Sequence, residues 1–257
     1  IIYYLQKENK ELKDTLQKLA QENKICFLDI GALGDIPKRW AFVEKLLNKV
    51  LVEPNSKSAE QLKQQGNTVI DKVLYSEENK KIDFFHTKKE TCSSILKPNN
   101  AHLNQFNDYK RFSIEKISTF LTSTLDLELK KIKVKPDFIK IDTEGSEQKI
   151  LEGSNESLNN VYGIEIEASF FNIREKQPRF EEINNYLTKK NFEFVDFLTI
   201  IRWERNNYRF TGQPQITDLL YLINPNQIIE DYNINKISKI NVIKYIVILV
   251  VYLRSDY

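Results

Sequence analysis

From Lys24 onward, short apolar runs alternate with amphipathic stretches, and this alternation limits what the chain can fold into more than any other feature does. The apolar runs fall at residues 25–30, 50–53, 68–75, 137–142, 162–167, 193–202 and 218–223. Nearly continuous apolar strands belong to a parallel sheet buried on both faces, because a sheet with one wet face would alternate polar with apolar. Stretches of helical character at 37–48, 57–65, 146–151 and 179–190 lie between the runs and can supply the cover. The expectation is an α/β fold with a doubly wound sheet of about seven strands.

Residues 82–121 break the rhythm with a hairpin strand at 82–87, a polar loop at 88–109 and a further strand at 111–115. Loops at the carboxyl edge of such a sheet face its ligand crevice, so this insertion reads as a lid. At the amino end, Leu5, Leu12, Leu16 and Leu19 share one helical face, while Glu8 and Thr15 interrupt the complementary seam. Residues 1–24 are therefore expected to be a helix or linker, with self-association through that helix as a possible use. Residues 25–224 form the expected main domain and 225–257 a C-terminal extension. Within the extension, the run Tyr245-Ile246-Val247-Ile248-Leu249-Val250-Val251-Tyr252-Leu253 falls short of the ~20 apolar residues a membrane span requires, so packing is favoured over membrane contact.

Lys plus Arg (38) nearly equals Asp plus Glu (36). A balance this close provides no field for nucleic acid or an anionic membrane. Cys26 and Cys92 match neither a disulfide framework nor a zinc site, and a reducing, cytoplasmic setting is expected.

Three sites carry chemistry. The first is Asp29-Ile30-Gly31-Ala32-Leu33-Gly34, where an apolar strand runs into glycines that let backbone approach a ligand. The second is Glu53-Pro54-Asn55, a carboxylate ending the next strand. An acid about twenty residues beyond a glycine turn can accept hydrogen bonds from both ribose hydroxyls of a nucleoside cofactor. The third glycine of a dinucleotide-binding turn is missing, as is any Gly-Lys-Ser/Thr phosphate loop, so a ribose-bearing cofactor without phosphate fits best.

The third and most specific site is Lys140-Ile141-Asp142-Thr143-Glu144-Gly145-Ser146-Glu147. The period of two puts Lys140 and Asp142 on one strand face, and charges there are costly unless paired or functional. Together with Ile150-Leu151-Glu152-Gly153, this run resembles the signature of FkbM-type methyltransferases. The glycine turn, Glu53-Pro54-Asn55, Ser93-Ser94, Glu165-Ile166-Glu167 and Asp218-Leu219-Leu220-Tyr221 follow in the family's order.

The resemblance implies a Rossmann-like class I methyltransferase sheet, S-adenosylmethionine as cofactor, and transfer to a hydroxyl on a sugar, glycan or other small molecule. It implies a cofactor site formed by Asp29, Gly31, Ala32, Gly34, Glu53, Pro54, Val73, Leu74, Ser76 and Asp142. The reacting centre would hold Asp142 and Glu144, with Lys140 setting their charge state and His102 as a lid base; His86 is a weaker candidate. Ser93 and Ser94 would face cofactor or acceptor. Four acids, Asp142, Glu144, Glu165 and Glu167, also raise a divalent metal, but no metal is assigned. Arg179, Arg202, Arg205 and Arg209 with Trp203 and Tyr208 read as a solvated face before a carbohydrate-binding one. The turn lacks the Asn of the family's Asp-x-Gly-Ala-Asn-x-Gly, as a non-catalytic methyltransferase-like binding module also could, and a nicotinamide-dependent oxidoreductase shares the architecture.

Overall fold

The computed structural model describes residues 19, 21, 23–32, 36–207 and 209–257, so the expected N-terminal helix lies largely outside the described residues, with the self-association expected of it. The strands in chain order are β1 (Ile25–Ile30), β2 (Leu47–Val52), β3 (Thr68–Ile70), β4 (Val73–Leu74), β5 (Lys81–Thr87), β6 (Ile114–Ser123), β7 (Phe138–Ile141), β8 (Gly163–Ser169), β9 (Phe192–Trp203) and β10 (Gln213–Ile223). A 7-stranded sheet has the order β3-β2-β1-β7-β8-β10-β9. The strands from β3 through β8 are parallel, and β10 runs antiparallel to both β8 and β9.

Side-chain alternation divides the core into two layers. Leu28, Ile30, Ile139, Ile141, Ile164 and Ile166 face α3 (Leu125–Ile132), α4 (Glu147–Glu152) and α5 (Phe180–Lys189). Ile25, Phe27, Phe138, Leu220 and Leu222 face the other way, toward a 3-10 helix at Lys38–Leu46, α6 (Pro225–Asn233) and α7 (Lys239–Val251). Phe27 and Phe138 stack with centroids 6.0 Å apart, and Trp40 tilts onto both. Two further helices among the described residues are α1 (Ser56–Gln64) and the short α2 (Asn100–Leu103).

The apolar tail run is thus mostly helix α7. It buries Ile243, Val247, Ile248 and Val251 on the sheet, and burying a side chain of that kind contributes roughly 1.5–3 kcal/mol. Among the described residues no helix is long and apolar enough to cross a membrane. The stretch expected as an extension after residue 224 supplies much of one covering layer.

Several boundaries differ from the sequence reading. The run at 68–75 splits at the exposed pair Asp71-Lys72: β3 pairs with β2, whereas β4 leaves the sheet to pair with β6. The helical stretch at 37–48 stops at Leu46, and Leu47 and Asn48 begin β2. The expected strand at 111–115 is a 3-10 turn at Tyr109–Phe112 followed by β6, which pairs antiparallel with β5. This β4-β6-β5 sheet is the body of the insertion.

Candidate active site

The parallel strands present their charged residues in register. Asp29, Lys140 and Glu165 are lateral neighbours on β1, β7 and β8. Lys140 Nζ lies 3.2 Å from Asp142 Oδ2 and 3.7 Å from Asp29 Oδ1. Burial works against the Lys140 charge, but the carboxylates of Asp142 and Asp29, with Glu165 beyond, together hold its ammonium above the usual lysine range. Burial pushes Asp29 upward and Lys140 pulls it back. Glu165 accepts from Tyr252 on the turn after α7 and lies 3.8 Å from Arg39 Nη2.

Beyond this row, a cleft opens at the carboxyl ends of β1 and β2, with an empty volume of about 990 Å³ including its mouth. Ile30, Gly31, Val52, Glu53 and Pro54 line it from the ends of β1 and β2, Val73 and Leu74 form a wall from β4, and Asp142, Thr143, Glu144 and Ile150 line it from the signature turn and α4. The inserted sheet lines it with Phe84, His86 and Phe120, and the following loop adds Glu90, Thr91 and Ser93.

Glu53 is buried at the end of β2, where Oε1 accepts from the Asn55 amide at 2.7 Å. Burial raises its carboxyl, the Asn55 amide offsets part of that, and Glu90 across the cleft raises it further. Asn55 in turn caps α1 by accepting from Lys57 N and Ser58 N.

The signature turn is held from three sides. Glu147 Oε1 accepts from Thr143 N at 2.9 Å, Thr143 Oγ1 at 3.0 Å and Gly145 N at 3.0 Å, tying the turn to the start of α4. Glu144 has φ of 61°, a left-handed conformation that costs a non-glycine residue energy and persists only where the surroundings enforce it. Ser94 Oγ donates to the Glu144 carbonyl at 2.8 Å, and fully buried Arg174 pairs with the Glu144 carboxylate. Arg174 also donates to Cys92 O at 3.0 Å, joining the lid loop to the segment after β8. Burial raises the Glu144 carboxyl and Arg174 counters it; Glu167 is pushed well above the usual carboxylate range by burial and by Glu144, Asp142 and Glu147.

The structure therefore brings Gly31, Glu53, Pro54, Val73, Leu74, Asp142 and Glu144 onto one cleft, with Ser93 on its rim. Asp29 lies beneath, reached through Lys140. Ala32 does not reach the cleft; it is buried against Leu51 and Leu62. Gly34 lies outside the described residues, as do Leu33 and Tyr208. Ser76 backs onto the α4 terminus, where a Cβ on Gly153 would meet Tyr75 O at 2.2 Å and Ser76 Cα at 3.3 Å. His102 is off the cleft as well: its Nε2 lies 2.7 Å from Gln215 Oε1 and its ring stacks on Phe171. Ser94 is buried and acts on the Glu144 backbone. Among the described residues, no group of three or more His, Cys, Asp or Glu is arranged to hold a metal ion.

Sequence reasoning missed Arg174 and undervalued His86. Arg174 sits in an aperiodic loop 30 residues from its partner, and no local pattern marks it. His86 did carry a signal: it alternates with Phe84 on a strand whose partner contributes Phe120, so one hairpin face gathers three rings.

Parallel strands β3 to β8 flanked by the antiparallel pair β10 and β9, with a cleft where β1 and β2 end, define a Rossmann-like class I methyltransferase fold. Residues 29–194 match the family model described as the methyltransferase FkbM domain, more than half of the chain, and the chain belongs to that family. Among solved structures it is similar to magnesium protoporphyrin IX methyltransferase from Synechocystis PCC 6803 with bound SAM (9% identity, covering 82% of this chain and 77% of that one, TM-score 0.37). It is also similar to precorrin-6y C5,15-methyltransferase from Geobacter metallireducens GS-15 (10% identity, 84% and 90% covered, TM-score 0.38). A third is an S-adenosylmethionine-dependent methyltransferase from Clostridium acetobutylicum ATCC 824 (10% identity, 86% and 96% covered, TM-score 0.36). No curated protein matches the sequence.

The family uses S-adenosylmethionine, and the cleft residues fit it. Among the described residues, four acids, Glu53, Glu90, Asp142 and Glu144, line the cleft with Lys72, while Lys140 engages Asp142 and Arg174 engages Glu144 from behind the lining. Carboxylates at this density suit the sulfonium and ammonium of the cofactor. Glu53 offers a buried carboxylate to a diol, and Val52, Val73, Leu74 and Ile150 offer apolar surface to a flat base.

Proposed function

We propose that the protein transfers a methyl group from S-adenosylmethionine to a hydroxyl group of a sugar, glycan or other small molecule. The observation that carries this reading is the acid-lined cleft in which Glu53 at the end of β2 and Asp142 at the end of β7 face a common space. When bound, the cofactor supplies an electrophilic methyl carbon on a sulfonium. Glu53 would accept from the ribose hydroxyls, Val73, Leu74 and Ile150 would sandwich the adenine, and Gly31 would pass beneath the amino-acid portion. Asp142, anchored by Lys140, would orient the acceptor hydroxyl and complement the positive donor, and Glu144 would be fixed beside it by Arg174.

Displacement at a sulfonium depends on alignment at near-attack distance and on exclusion of water. Phe84 and Phe120 of the hairpin, which line the cleft, would supply the exclusion. A hydroxyl acceptor is supported by the oxygen-rich signature turn, whose Asp142 and Glu144 line the cleft. Calorimetric titration with S-adenosylhomocysteine, followed by transfer of labelled methyl to a panel of methyl glycosides, tests the reading. Absence of nucleoside binding by the wild-type protein overturns it.

A further inference from the structure

We propose that His86 on the lid hairpin is the general base that receives the acceptor proton, with Ser118 as its positioning residue; this rests on the hydroxyl methylation proposed above. His86 Nε2 lies 3.0 Å from Ser118 Oγ across the β5–β6 pair. With Nε2–H donating to Ser118, Nδ1 keeps its lone pair. Nδ1 has no hydrogen-bond partner among the described residues and is not a buried atom, while the ring lines the cleft. An imidazole held in one tautomer by its far nitrogen is the arrangement that general-base catalysis uses.

The hairpin also places the ring at the correct end. Its Lys81 end lies beside β4, where Val73 pairs with Thr122, on the wall assigned to the adenine. Its Thr87 end lies toward the signature turn: Thr87 N donates to Ser93 Oγ, Phe85 pairs with Ser94, and Ser94 Oγ donates to Glu144 O. His86 sits between Phe85 and Thr87, and its ring lines the same cleft as Asp142 and Glu144.

The carboxylates there are already engaged by the protein. Asp142 meets Lys140, Glu144 pairs with Arg174, and Glu147 accepts from Thr143 and Gly145. These contacts suit orientation and charge complementarity, Asp142 keeping Oδ1 for the acceptor hydroxyl, and the imidazole is the neutral acceptor that faces the same cleft. In the step, the acceptor oxygen bonds to the methyl carbon as the carbon–sulfur bond breaks and its electron pair stays on sulfur. The hydroxyl proton passes to His86 Nδ1, and the imidazolium returns it to solvent through the cleft mouth.

Three measurements on the whole chain test this. By calorimetry, His86→Ala is expected to bind S-adenosylhomocysteine within about twofold of wild type, while labelled-methyl transfer to methyl glycosides falls roughly 100-fold or more, a usual value for loss of a general base. Added imidazole is expected to restore part of the transfer in His86→Ala and none in Asp142→Ala. In ¹⁵N-histidine-labelled wild-type protein, His86 is expected as the Nε2–H tautomer with Nδ1 bare, shifting to the mixed pattern of free imidazole in Ser118→Ala. Unchanged transfer in His86→Ala overturns the proposal, as does loss of nucleoside binding in that variant alone or an Nδ1–H tautomer in the spectrum, which requires no acceptor. Failure of the wild type to bind S-adenosylhomocysteine is a different result and removes the underlying reading itself.

Discussion

A methyl group placed on Gly31 would sit 1.9 Å from the carbonyl oxygen of Asp142. The glycine turn and the signature strand therefore touch backbone to backbone, and the close approach sets how near the ends of β1 and β7 stand to each other. Gly31 also has φ of 90°, which side-chain-bearing residues rarely adopt. Gly31→Ala is expected to cost roughly 2–4 kcal/mol, from left-handed backbone strain together with overpacking. A lower melting temperature and weakened S-adenosylhomocysteine binding, measured together, would show both effects; an unchanged melt would mean that the two strand ends separate freely.

Arg174 is buried entirely, and its Glu144 partner has 22% of its side chain exposed. Removing one member of a buried pair strands the other, at about 3 kcal/mol or more. Arg174→Met is expected to show that loss in urea denaturation, and Arg174→Met with Glu144→Gln to recover most of it. Equal losses in the single and double variants would mean that the pairing is not what holds the arginine in place.

Glu167 provides a pH test whose sign is fixed. Burial first, then Glu144, Asp142 and Glu147, hold its folded carboxyl well above the ordinary 4.5. Above that value the unfolded chain releases a proton the folded chain keeps, so stability falls as pH rises toward the folded titration point. Glu167→Gln removes that cost. The variant is expected to match wild type near pH 4 and to gain on it steadily toward pH 8 in thermal melts, whereas a gap that narrows with rising pH would contradict the assignment.

Glu53→Gln keeps the shape and removes the charge offered to a ribose. Hydrogen bonds to a charged partner contribute roughly 1.5–3 kcal/mol, so S-adenosylhomocysteine affinity is expected to fall about 10- to 100-fold. The melting temperature without ligand is expected to stay close to wild type or rise, since burial already disfavours the Glu53 charge. Undiminished affinity in calorimetry would detach Glu53 from the nucleoside.

Tyr252 donates to buried Glu165 and accepts from Trp40 Nε1 at 3.3 Å. Tyr252→Phe leaves Glu165 with Arg39 at 3.8 Å as its neighbour, and the unsatisfied buried acceptor is expected to cost roughly 1–3 kcal/mol in chemical denaturation. Truncation at residue 224 exposes Phe27, Phe138, Leu220 and Leu222 and is expected to yield insoluble or unfolded chain, measured by circular dichroism.

Much of this was legible because local rules hold where the chain is regular. The run at 25–30 shows its β1 strand directly, since every residue but Asp29 packs on one core layer or the other, and Asp142 with Glu144 could be marked as a site because charge at a buried strand end requires a reason. Where the chain is aperiodic the rules were silent. His102 and His86 look alike as loop and hairpin histidines, yet one is sequestered by Gln215 and Phe171 and the other lines the cleft.

The sequence alone determined the βα alternation, the order of the glycine turn, Glu53 and the signature run, and hence the family, because each depends on residues within a few positions of one another. Only the tertiary structure decided that Arg174 holds Glu144, that the tail completes the core through Tyr252 and Glu165, and that His86 shares a space with Asp142. Those pairings join residues 30, 87 and 56 positions apart. What joins them is the crossover path of the chain and the burial energy of the layers between, and no periodicity records either.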